Sequence, residues 1–139
     1  MTAHWEHFPH EADVGVRGIG ATPEQAFEQA ALAMTAVIAD PATITPTQAV
    51  AIEAEAPDME LLLVDWLNAL VYEMATRKLL FSRFEVHIDG QVLRGRAWGE
   101  PADAAKHQPA VEVKGATYTA LRVAQNPDGE WVAQCVVDV

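Results

Sequence analysis

Two segments of the chain repeat their apolar residues at helical spacing, and most of the remainder alternates them. After Thr22-Pro23-Glu24-Gln25, the residues Phe27, Ala30, Ala31, Met34, Val37 and Ile38 fall on one helical face. Thr22 is placed to cap that helix, Pro23 takes its first position and Gln25 closes a capping box. Asp40-Pro41 stops the run. A second helix starts near Asp58 and carries an apolar stripe of Leu63, Val64, Leu67, Leu70, Val71 and Met74. It ends about Arg77-Lys78, cations suited to the negative end of a helix dipole. Asp65, Asn68 and Tyr72 share another side and read as its polar face.

The alternating segments predict strands. Val14, Val16 and Gly18 flank Arg17, and Val50, Ile52 and Ala54 alternate with Ala51, Glu53 and Glu55. Phe84, Val86 and Ile88 alternate with Arg83, Glu85 and His87, a half-buried pattern, and Asp89-Gly90 predicts a two-residue hairpin turn into a strand over 92–98. A polar loop over 99–109 follows, then strands predicted at 111–114 and 118–123. Asn126-Pro127-Asp128-Gly129 turns the chain into a last strand, Trp131 to Asp138. Strands outnumber helices and mostly adjoin one another. That predicts an α+β fold, one domain over 1–139, with a mostly antiparallel or mixed sheet and two main helices.

Composition narrows the function classes. Half of the 139 residues are hydrophobic and evenly spread, enough for one buried core without metal staples. The single Cys135 excludes an internal disulfide, which fits a reducing compartment, and its apolar strand context makes it an inert core thiol. Residues 1–10 lack a basic start followed by an apolar run, and no stretch is long enough to span a bilayer; the expected setting is cytoplasmic, without a membrane partner. Twenty acidic residues against nine Lys and Arg give a net charge of −11, which repels phosphate backbones. Arg94 and Arg96 on one strand face, with Arg83 near, make only a local basic spot. Strong direct binding of nucleic acid is not expected, so work on RNA would run through another protein.

The candidate chemistry sits at the two ends. His10 and Asp13 lie at the mouth of the first predicted strand, and the last strand runs into Asp138 and Val139. If those strands are neighbours, Asp13, Asp138 and the α-carboxylate of Val139 meet at one point. Three crowded carboxylates call for a positive charge between them, most often a hard cation. The plainer alternative is that Asp13 caps a strand or turn and Asp138 is a solvated end. His10 reads as a ligand, a general base or simply a strand-entry residue. Lys114 falls on the strand face of Glu112, so it either balances a carboxylate cluster or reaches a phosphate, or only pairs with Glu112. Glu100, Asp103 and His107 share the polar loop without a decisive spacing. Gly15, Gly18 and Gly20 open no helix, so they make no phosphate loop.

Taken in order, these motifs resemble the archease family over nearly the whole chain. His10-Glu11-Ala12-Asp13-Val14-Gly15 is similar to its opening signature, and Leu62-Leu63-Val64-Asp65-Trp66-Leu67-Asn68 to its central helix. Gly99-Glu100 with Asp103 and His107, then Val113-Lys114-Gly115-Ala116-Thr117-Tyr118, resemble its loop and Lys-bearing strand, and Cys135-Val136-Val137-Asp138-Val139 its acidic ending. Thr119 stands where the family often has a His, so a role resting on that imidazole does not carry over, and Gly115 stands where Ala is common. The resemblance implies a non-catalytic accessory protein of an RtcB-type RNA ligase. Such a protein promotes the ligase's guanylylation and multiple turnover in tRNA splicing and broadens its nucleotide use. It also implies a divalent cation, commonly calcium, at Asp13, Asp138 and Val139, and a functional Lys114. The expected assembly is a monomer or weak oligomer. A metal-dependent phosphoester hydrolase built on the same carboxylates with His10, and a chaperone-like binding module, are the competing classes.

Overall fold

Both long helices begin on side-chain caps that the sequence supplies. A computed structural model describes residues 2–139. In α1 (Pro23–Ile38) the Thr22 hydroxyl accepts from the Gln25 amide at 3.1 Å. The Gln25 side chain reaches back to the Ala21 amide at 2.9 Å, one residue earlier than a standard capping box. In α2 (Met59–Arg77) Asp58 accepts from the Leu61 amide at 2.8 Å, and Lys78, in a left-handed conformation (φ 57°), ends the helix. Among the described residues no helix is long and apolar enough to cross a membrane.

Eight strands among the described residues form two antiparallel sheets. The larger contains β1 (His4–His10), β2 (Asp13–Gly20), β8 (Trp131–Asp138) and β6 (Gly115–Ala116), in that spatial order. A further strand, β7 (Arg122–Gln125), also pairs with β8. The smaller sheet has the order β3 (Gln48–Glu55), β5 (Val92–Pro101), β4 (Leu79–Asp89). Each long helix touches strands of both sheets, so the helices lie between them. Burial alternates as expected along β3 and along residues 83–88 of β4. The α+β class with one domain and two main helices is what the structure has, organised as two sheets.

The core centres on α1 and α2. Phe27, Ala30, Ala31 and Met34 of α1 are fully enclosed, and Ile38 nearly so. Trp66 of α2 lies outside the expected stripe yet is fully buried. It donates its indole N–H to the Phe27 carbonyl at 3.1 Å and meets Phe84 edge-on. Gly18 has a packing role. A Cβ there would overlap the carbonyl oxygen of Ala26 and the amide nitrogen of Ala30, so glycine is what seats α1 on β2. Cys135 is buried, and burial pushes its thiol up to about 12, as suits an inert core thiol.

The edge strand β1 carries no apolar alternation and is not predicted from the sequence, because both faces of His4 to His7 are exposed. Four expectations need correction. Residues 111–114 form no strand; pairing with β8 begins only at Gly115. The strand expected at 118–123 is displaced to Arg122–Gln125, since Tyr118 to Ala120 form an exposed turn with Ala120 at φ 53°. The turn after β4 uses Gly90 (φ 61°) and Gln91 rather than Asp89 and Gly90, because Asp89 already pairs with Val92. The polar loop at 99–109 is shorter than expected: β5 runs on to Pro101, and α3 (Ala104–His107) follows, capped by Asp103.

Candidate functional site

The register of the larger sheet draws the two chain ends together. His10 pairs with Asp13 across the β1–β2 hairpin. Val14 pairs with Val137, so the next step of that register places Asp13 opposite Asp138. Asp138 in turn pairs with Gly115 of β6, and the Lys114 amide donates to the Asp138 carbonyl at 2.8 Å. His10, Asp13, Asp138 and Gly115 therefore form one transverse row, with Lys114 beside it. At about 4.8 Å per strand the row spans roughly 15 Å.

Directly opposed residues of an antiparallel pair project from the same face, so Asp13 and Asp138 form a like-charge pair that is unfavourable without compensation. Asp13 is half-buried and Asp138 exposed, while Val139 is half-buried and packed against the core, which fixes the backbone after Asp138. The donor set is all oxygen, as a hard cation requires. Among the described residues no three His, Cys, Asp or Glu side chains converge as ligands. Lys114 is exposed and, among the described residues, makes no ion pair with Glu112 or any other acid.

The polar face expected of α2 includes Asn68, and here the structure differs. Its Oδ1 accepts from the Ala116 amide at 2.8 Å and its Nδ2 donates to the Ala116 carbonyl at 3.3 Å. A helix side chain thus replaces a strand neighbour for β6 and holds the segment after Lys114 in place. Its position on the helix turn that carries Asp65 and Tyr72 hid this; those two are exposed, as expected.

The polar-loop residues make a separate, structural cluster. Glu100 accepts from Lys106 Nζ at 2.7 Å, from the Thr45 amide at 2.7 Å and from His107 Nε2 at 3.0 Å. The buried His107 ring accepts from the Asp103 amide through Nδ1, which leaves its hydrogen on Nε2 to donate. The Lys106 ammonium first, then the Thr45 amide and His107, hold the Glu100 carboxyl at about 2 against an ordinary 4.5. A depressed carboxyl stabilises the fold fully above its unfolded value and loses that effect as pH falls through the folded one. The stability gap between the wild type and Glu100→Gln should therefore be full above about pH 4.5 and shrink toward pH 2. Thermal melts by circular dichroism at pH 6, 4 and 3 measure it, and a pH-independent gap would show the cluster to be idle.

Comparison with known proteins bears on this arrangement as a whole. Residues 5–139 match the profile of the archease protein family. The chain is 44% identical to protein archease of Pyrococcus furiosus, with 97% of this chain and 98% of that one covered. It is 40% identical to protein archease of Methanopyrus kandleri, covering 97% and 99%. The solution structure of Methanobacterium thermoautotrophicum protein 1598 superposes with a TM-score of 0.84 at 32% identity, over 97% of this chain and 98% of that one. With its fold, its length and its motif order all matched, this chain belongs to the archease family.

Proposed function

We propose that this protein is a non-catalytic activator of an RtcB-type RNA ligase, promoting its guanylylation and repeated turnover in tRNA splicing or RNA repair and broadening the nucleoside triphosphates it uses. The observation that carries the reading is the transverse row of His10, Asp13, Asp138 and Gly115 with Lys114 beside it. A carboxylate pair at an exposed sheet end is suited to entering a partner's cationic, nucleotide-holding site. A net charge of −11 steers an acidic protein toward the basic RNA-binding mouth of such a ligase. Asp13 and Asp138, with the α-carboxylate of Val139, would hold a divalent cation, calcium by family resemblance. When bound, the cation neutralises the opposed carboxylates and offers a positive point to phosphate oxygens. His10 at the end of the row and Lys114 beside it are the basic groups able to meet phosphate.

The test is multiple-turnover ligation by a limiting amount of the cognate ligase, in the cytosolic range of magnesium or manganese and GTP. The wild type is expected to convert a single round into sustained joining, while Asp13→Ala and Asp138→Ala leave the ligase at one round. Unchanged turnover with the wild type would overturn the reading. Phosphoester cleavage by the purified protein alone, lost in Asp13→Asn, would replace it with a hydrolase. Calcium binding has its own measurement. At about a hundred times the dissociation constant, a ligand specific to the folded state adds about 2.7 kcal/mol, several degrees in melting temperature. Asp138→Ala should abolish that shift, and residues appended after Val139 should diminish it.

A further inference from the structure

A cleft of about 720 Å³ runs along the C-terminal half of α2 and reaches Lys114, beside the carboxylate row. Val71 and Met74 of α2, Ile38 at the end of α1, Leu79 at the start of β4 and Val113 form its apolar lining. The outer wall is the strap 109–114, tied at each end by a backbone hydrogen bond: Ala110 N–H to the Ile38 carbonyl and Lys114 N–H to the Asp138 carbonyl, both 2.8 Å. Val71 and Met74 stay only half-buried because the strap stands off them instead of packing down.

Two lysines, Lys78 and Lys114, line this cleft against one acidic residue, Glu112. Among the described residues neither lysine is in an ion pair, although acids outnumber Lys and Arg by 20 to 9. Lys78 stands at the α2 terminus, and Lys114 at the end where Asn68 holds Ala116. From Val71 to Lys78 the helix rises about 10 Å, which sets the scale of the space beside it.

We propose that this cleft is a binding site for a small amphipathic anion, an acyl or aromatic body carrying carboxylate or phosphate. The apolar lining takes the body and Lys78 and Lys114 take the charge. Size favours a small molecule over a protein segment: the volume falls within the range of pockets for drug-sized ligands. The excess of ammonium over carboxylate favours an anion in a protein that otherwise repels anions.

The probe is 1-anilinonaphthalene-8-sulfonate on the isolated folded protein, with N-phenyl-1-naphthylamine as its uncharged counterpart and no ligase present. Saturable one-to-one binding of the sulfonate is expected, with amide shifts in NMR spectra confined to the cleft. The double variant Lys78→Met, Lys114→Met should weaken it by about fivefold and leave the uncharged compound unaffected. Ala75→Arg, at an exposed lining position that does not disturb the core, should block both compounds. Absence of saturable binding to the wild type, or binding that Ala75→Arg leaves intact, overturns the site. Equal binding of both compounds with no effect of the lysines overturns the anion assignment.

Discussion

Gly18→Ala is expected to destabilise the protein by about 3 kcal/mol or more, lowering its melting temperature by roughly 10 °C. The added Cβ would occupy the space of the Ala26 carbonyl oxygen and the Ala30 amide nitrogen, and would lie 2.9 Å from the carbonyl carbon of Gln29. These are backbone atoms of one helix, so no side-chain rotation relieves the overlap. The helix must lift from β2 instead, and Phe27, Ala30 and Met34 lose contacts together. Overpacked cores usually lose about 1–3 kcal/mol, and a backbone obstacle puts this site at the upper end. Denaturant unfolding followed by circular dichroism measures it. A loss below about 1 kcal/mol would mean that α1 is not seated as closely as described.

Trp66→Ala is expected to cost about 3–5 kcal/mol, the range for emptying a buried aromatic site. The indole is fully enclosed, bonds the Phe27 carbonyl of α1, and lies over Gly95 of β5, where a Cβ would come within 2.9 Å of the ring. One side chain therefore ties α2 to α1 and to the smaller sheet. Trp66→Phe should recover much of the apolar contact but not the hydrogen bond, so its loss should be clearly smaller than that of alanine. Equal losses would assign the whole effect to the indole N–H. The unfolding signal should be circular dichroism, because the substitution removes one of four tryptophans.

The regular parts of the fold were legible because burial there follows one period. Helix caps at Thr22 and Asp58, the stripe of α1, the alternation of β3 and the Asn126–Gly129 turn all rest on interactions within a few residues. β8 was read with its observed limits, and with it the position of Asp138. What escaped depends on distant partners. β1 is a polar edge strand, and β6 is two residues long, so neither carries a periodic signal. Trp66 escaped because α2 lies between two sheets and buries a wider arc than one stripe. Asn68 escaped because its partner lies 48 residues away in sequence, and the Glu100 cluster because its nearby partners Lys106 and His107 reach it only through the turn of α3. Nothing in the spacing of a polar residue distinguishes solvent from such a partner. For the carboxylate row, the ends of the two strands indicated the meeting point, and only pairing between β2 and β8 could bring it about.

That pairing has a consequence for synthesis. β8 is the last strand in chain order, yet it pairs with β2, β6 and β7 inside the larger sheet. The ribosome therefore delivers β1 and β2 long before their inner neighbour exists; Arg17 and Gln134, which share a side-chain hydrogen bond, are 117 residues apart. Contacts of such separation close slowly and late, and the nascent chain must wait with an open sheet edge. A chain released early lacks the larger sheet's inner strand and Asp138 at the same time. Prematurely terminated products should consequently be unfolded, so the topology itself guards against half-formed sheets.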